Sequence, residues 1–141
     1  MKKSTWLALV VVLVSALVLS ACGGGGSATV TRADPPADYA SMTNPMSGNA
    51  DAVTAGKDLY TRDCTSCHGD AGAGDGPSAA ALDPKPRNLK DTAAAASDAY
   101  IHWVIAKGGV ATSMSSSMPP FESTLSDDEI WQVVTYIKSL K

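Results

Sequence analysis

The stretch that most constrains this chain is Cys64-Thr65-Ser66-Cys67-His68. Two thiols three positions apart share one face of a helical turn, with a histidine next in line. The pattern reads as a covalent attachment site for c-type haem, in which both sulfurs bond the vinyl edge of one porphyrin and His68 reaches the iron. Two other chemistries use similar residues. A thioredoxin-like dithiol belongs with a βαβ pattern, which this Ala/Gly-rich, strand-poor sequence lacks. A structural zinc site needs four converging ligands. Cys64, Cys67, His68 and His102 are four in number, but adjacent Cys67 and His68 diverge on a helix.

A haem iron held by His68 has a second axial position. Met118-Pro119-Pro120-Phe121 follows fifty residues later, on a segment that reads as a loop. A thioether is a soft, neutral donor, and Met/His ligation raises the reduction potential relative to stronger donors. The paired prolines stiffen the loop and reduce the entropy lost when sulfur binds. Met114 is the alternative in the same loop, and Met118 is favoured because only it is followed by prolines. His102 is the rival that would lower the potential, but it sits inside a helical pattern between Ile101 and Trp103, where a satisfied or solvent-facing histidine is commoner. Pro84, Pro86 and Leu89 mark a proline-stiffened extended segment suited to run beside the haem. A carbonyl from this region would accept the Nδ1 proton of His68 and orient the ring.

The chain has three cysteines, and the third, Cys22, lies directly after an apolar run. Residues 1–21 read as an export signal, with Lys2 and Lys3 at its charged start and Trp6 to Leu19 uncharged. The run is shorter than the roughly 20 residues of a membrane span. Leu19-Ser20-Ala21-Cys22 resembles the lipobox of bacterial lipoproteins, in which the cysteine is acylated and becomes the new N-terminus. Several acyl chains give durable anchoring where one binds marginally. The expected location is therefore extracytoplasmic, on the bacterial membrane, which agrees with the compartment where haem c is attached. Without Lys2 and Lys3, nine basic residues face 14 acidic ones, a formal charge of −5 that argues against nucleic-acid binding.

Residues 22–50 comprise the lipidated cysteine and a Gly/Pro/Ser-rich tether, with solvent exposure expected for Tyr39, Met42 and Met46. Residues 51–141 form the folded domain. A first helix is expected over about Ala52 to Asp63, with Leu59 and Val53 in its apolar stripe and Gly56 and Tyr60 on one face. The Gly69–Pro77 loop cannot stay helical, and it lacks the residues of a nucleotide or calcium loop. Ser97 caps a helix through Lys107, stopped by Gly108-Gly109. Ser126 and Glu129 form a capping box that opens a last helix with Ile130, Val133, Val134 and Ile137 buried. First and last helices are expected to cross at Gly56. About 90 residues with six aromatics make a thin core that needs a staple, and the haem is that staple. The haem-free domain is expected to be largely unfolded.

Together, Cys64 to His68, Gly56 with Tyr60, the Met118-Pro119 loop and the last helix with Tyr136 resemble a class I cytochrome c over roughly 51–141. The resemblance implies an all-α small cytochrome c fold around one covalent haem c. His68 would be the proximal ligand, Met118 the distal ligand, and Cys64 and Cys67 the thioether anchors. Gly69–Pro77 with Pro84–Leu89 is similar to small cytochrome subunits of bacterial respiratory complexes, including alternative complex III. The family's proline-asparagine-leucine signature stands here as Pro86-Arg87-Asn88-Leu89.

Electron transfer is the leading expectation: one electron enters and leaves through an exposed haem edge, no small-molecule substrate binds, and the protein is not itself an enzyme. Expected partners are a quinol-oxidising complex on one side and a terminal oxidase or soluble carrier on the other, in a respiratory or photosynthetic chain. The protein would serve as a mobile carrier or as a fixed subunit with residues 23–50 as an interaction arm. The alternative is a haem sensor binding CO or NO, if the loop Thr112–Ser117 lets Met118 leave the iron. A peroxidase would need a positioned acid/base pair, and none is evident near the Met118 loop.

Overall fold

The computed structural model describes residues 33–115 and 117–140; the expected signal (1–21), the expected acylation site Cys22 and the start of the tether lie outside the described residues. All regular structure among the described residues is helical: α1 (Ala37–Ala40), α2 (Ala50–Asp63), α3 (Thr65–His68), a 3-10 turn (Ala79–Ala81), α4 (Leu89–Ala95), α5 (Asp98–Ala111) and α6 (Asp127–Ser139). Among these residues no helix is long and apolar enough to cross a membrane.

Helix α2 and helix α6 cross in close contact, and Gly56 explains why they can. A Cβ at Gly56 would overlap the backbone carbonyl of Gln132 and lie 3.0 Å from Tyr136 Cβ. Helix α2 begins two residues before the sequence suggests, because the Asn49 side chain accepts from Asp51 N–H (2.9 Å) and Ala52 N–H (3.1 Å). Helix α6 opens with the expected capping box: Ser126 Oγ accepts from Glu129 N–H and the Glu129 carboxylate accepts from Ser126 N–H at 2.8 Å. Its stripe of Ile130, Val133, Val134 and Ile137 is buried, and so are Trp131 and Tyr136. Helix α4 packs beside it, and Lys138 Nζ donates to the Ala93 and Ala96 carbonyls (2.8 and 3.0 Å), satisfying the end of α4 with a cation where the helix dipole is negative.

Helix α5 follows its helical course from the Ser97 cap as far as Gly108, whose φ of 72° breaks the helix. A residue with a side chain would be strained there. The break leaves the Ile105 and Ala106 carbonyls without partners one turn on, and Phe121 N–H (3.1 Å) and Glu122 N–H (3.2 Å) fill them. The Met118 loop is thereby pinned to the end of α5.

Tyr39, Met42 and Met46 are half-buried against the core rather than solvent-exposed. The segment is fastened by the buried Asn44, whose Nδ2 donates to Asp98 Oδ2 (2.8 Å) and Thr135 Oγ1 (3.1 Å). Packing of residues 33–49 thus extends the folded unit N-terminal of residue 51.

Candidate functional site

Cys64 ends α2 and starts the next turn: its N–H donates to the Tyr60 carbonyl (2.9 Å), and its own carbonyl accepts from Cys67 N–H (3.2 Å) and His68 N–H (2.9 Å). The following loop folds back over this turn. Ser78, Gly76 and Gly74 donate their N–H groups to the carbonyls of Ser66 (2.8 Å), Cys67 (3.1 Å) and His68 (2.8 Å) in turn. The glycine-rich sequence is what permits this close wrapping, since a Cβ at Gly76 would lie 2.5 Å from the Ser66 carbonyl oxygen and 2.7 Å from the Cys67 carbonyl carbon. Tyr60, 1 % exposed, donates its hydroxyl to the Gly69 carbonyl (2.6 Å) and so ties α2 to the loop.

His68 Nδ1 lies 3.1 Å from the Arg87 carbonyl. A carbonyl only accepts, so Nδ1 carries the proton and Nε2 presents its lone pair. The residues before and after Arg87 fix that carbonyl. Pro86 restricts the backbone, and Asn88 immediately caps α4 by accepting from Lys90 N–H at 2.9 Å. Leu89 is buried, and its N–H donates to the Gly72 carbonyl at 2.7 Å, joining the proline segment to the glycine loop; Pro86 is half-buried. Burial holds the His68 pKa below the ordinary imidazole range, opposed by the Arg87 contact. A neutral imidazole with one committed nitrogen is the form that ligates a metal.

Cys64 and Cys67 are free thiols, both half-buried. Burial pushes the Cys64 thiol up to about 12, with Asp63 and Cys67 adding to it and Arg62 opposing. A redox dithiol depends on a lowered thiol pKa, so this environment is unlike that of a thioredoxin-type site. Among the described residues no three His, Cys, Asp or Glu side chains are grouped to hold a metal ion. His102 is elsewhere: it is 2 % exposed, packed on the Trp131 ring at 4.1 Å between centroids, with Nε2 2.9 Å from Asp127 Oδ1, outside hydrogen-bond alignment. Asp127 Oδ2 accepts from Trp131 Nε1 at 3.1 Å, so the carboxylate is hydrogen-bonded to the indole and only lies close to the imidazole. His102 is thus packed as a core residue, and it is not grouped with Cys64, Cys67 and His68 as a zinc site would require.

Met118 is half-buried against the core, and its carbonyl accepts from Gly109 N–H at 2.9 Å. Met114, in the same loop, is also half-buried against the core, and its sulfur accepts from the Tyr100 hydroxyl at 3.4 Å. These residues fit haem c by their donor set: two unpaired thiols at the attachment spacing, one imidazole with Nδ1 engaged and Nε2 available, and a half-buried thioether on a pinned loop. No motif in the sequence marks out the Arg87 carbonyl or the Tyr100 hydroxyl directly. The Asn88 cap, one residue on, is the signal that would have found the first.

The family described as cytochrome c oxidase, cbb3-type, subunit III matches residues 51–137. No curated protein matches the chain. Among solved structures, a chain of the Kuenenia stuttgartiensis reducing HAO-like protein complex is similar at 30% identity and a TM-score of 0.58, over 76% of this chain and 50% of that one. Cytochrome cL from the marine methylotrophic bacterium Methylophaga aminisulfidivorans shares the fold at 22% identity and a TM-score of 0.50, over 67% of this chain and 57% of that one. The chain therefore spans about half the length of the solved chains it resembles.

Proposed function

The chain belongs to the cytochrome c family described as subunit III of cbb3-type cytochrome c oxidases, and from that premise we propose that it carries single electrons on one haem c at a bacterial membrane. Family membership implies haem c, which when bound supplies a reversible one-electron iron couple. In this reading Cys64 and Cys67 are the thioether anchors. His68 offers Nε2 as the proximal ligand, and the Arg87 carbonyl holds its Nδ1 proton, which fixes the ring and raises its basicity. Met118 supplies the distal thioether, and Pro86 and Leu89 border the porphyrin. The hydrogen bond from Gly109 to the Met118 carbonyl favours a fixed ligand, hence a carrier, over a CO or NO sensor with a labile methionine.

Export, acylation of Cys22 and anchoring as an extracytoplasmic lipoprotein complete the proposal. The partners are a quinol-oxidising complex and a terminal oxidase or soluble carrier, reached as a mobile carrier or a fixed subunit. The occurrence of a similar chain in a protein complex of Kuenenia stuttgartiensis is in keeping with protein redox partners. The observation that carries the reading is the contact from His68, in the Cys-x-x-Cys-His turn, to the Arg87 carbonyl on the proline segment.

The test is intact mass and haem staining of the protein purified from membranes. The expected result is one haem per chain that survives denaturation and an acylated N-terminal Cys22. Loss of covalent haem is expected in a Cys64→Ser, Cys67→Ser double variant. Haem extracted intact by denaturant from the native protein would refute the attachment, and an unmodified Cys22 would refute the anchor.

A further inference from the structure

The distal loop contains two thioethers, and donor chemistry does not choose between them. Met114 and Met118 are half-buried against the same core. Both are tied to one backbone residue: Gly109 N–H donates to the Met118 carbonyl (2.9 Å), and the Gly109 carbonyl accepts from Met114 N–H (2.9 Å) and Ser115 N–H (3.2 Å). Each sulfur is the same soft, neutral ligand. Tyr100 treats Met114 specifically. Its hydroxyl donates to Met114 Sδ at 3.4 Å, a reasonable distance for a weak sulfur acceptor. Tyr100 is held in place: its backbone N–H donates to the Ser97 cap at 3.2 Å, and its ring is buried, 6 % of the residue being exposed, with the Trp103 ring meeting it edge-on at 5.8 Å between centroids.

We infer that Tyr100 biases which methionine ligates the iron, its hydroxyl engaging the Met114 sulfur and leaving the axial position to Met118. This rests on the reading of Met118 as the distal ligand. Tyr100 acts through Met114 and is a positioning residue. A single neutral hydrogen bond weights a competition between like ligands by roughly two- to tenfold. That is enough to tip a near-equal pair and too little to forbid Met114 outright.

The experiment uses the haem-loaded full chain labelled with methyl-¹³C methionine. A methyl group held over the porphyrin of the ferrous protein is displaced by the ring current, and peak areas count which methionine is bound. Adding Tyr100→Phe to Met118→Ala is expected to raise the ratio of Met114-ligated to unligated protein by roughly two- to tenfold. In otherwise native protein, Tyr100→Phe should bring up a second displaced methyl, and in a Met114→Ala background it should change nothing. The inference is overturned if the ratio is unchanged, if Met114 ligates fully in Met118→Ala with Tyr100 intact, if it ligates in neither variant, or if Tyr100→Phe alters ligation without Met114. Failure of the underlying reading has a separate signature: the wild-type displaced methyl is missing, or Met114→Ala removes it while Met118→Ala does not.

Discussion

Replacing Gly56 by alanine tests the crossing on which the fold turns. The new Cβ would overlap the Gln132 carbonyl oxygen, lie 2.5 Å from its carbon and sit 3.0 Å from Tyr136 Cβ. Carbon atoms in contact prefer about 3.5–4.0 Å, so α2 and α6 must separate by about 1 Å. A backbone carbonyl inside a helix cannot swing aside as a side chain would. Overpacking of this kind costs about 3 kcal/mol, the upper part of its usual range. Alanine returns about 1 kcal/mol of helix propensity, leaving about 2 kcal/mol lost. For a domain of this size that lowers Tm by about 8–16 °C, read by circular dichroism on the haem-loaded protein. Gly48→Ala is the comparison: nothing lies within 4 Å of its Cβ, but φ is +77°. Its cost is backbone strain alone, about 1 kcal/mol, and about half the shift. Gly56→Ala melting at or above wild type, or no lower than Gly48→Ala, would refute the argument.

Three further outcomes follow from the same geometry. Burial holds His102 below its ordinary value of 6.5 despite the opposing pull of Asp127; the unfolded chain then binds a proton near pH 6.5 that the folded one refuses, so stability is full above about that pH and falls as pH drops through it. Urea midpoints of the holoprotein should show this fall, and His102→Gln should flatten it; an equal slope in both proteins would contradict the assignment. Ser126→Ala removes the cap of α6 and should cost about 1 kcal/mol in urea unfolding, against no change if the capping box contributes nothing. The chain expressed without haem attachment should lack cooperative melting, because the group that completes a thin core is absent; a compact, cooperatively melting haem-free chain would sink that expectation.

What the sequence disclosed was written in local patterns. The Cys64–His68 turn, the Ser126–Glu129 box and the Gly108 stop each depend on residues within one or two turns of one another. Gly56 was readable because a missing side chain in a helix with a nearby Tyr60 implies a close neighbour. Helix α4 was missed: its alanine-rich run carries no apolar period, and its start depends on Asn88 acting as a cap inside a segment that reads as extended. The carbonyl that holds His68 was marked only indirectly, by the Asn88 cap one residue on, because every residue has a carbonyl. The docking of Tyr39, Met42 and Met46 was hidden for another reason. It is fastened by Asn44 on Thr135, 91 positions away, and such pairing appears only once the chain is folded. The Tyr100–Met114 contact joins positions 14 apart, with no pattern to announce it.

The identity of the iron's second ligand can be read from the visible spectrum of the ferric holoprotein in wild type, Met118→Ala and Met114→Ala. His68/Met118 ligation requires the weak far-red sulfur-to-iron band in wild type and Met114→Ala, with that band lost or strongly reduced in Met118→Ala. A wild type without the band, or a Met118→Ala spectrum identical to wild type, would contradict His68/Met118 ligation.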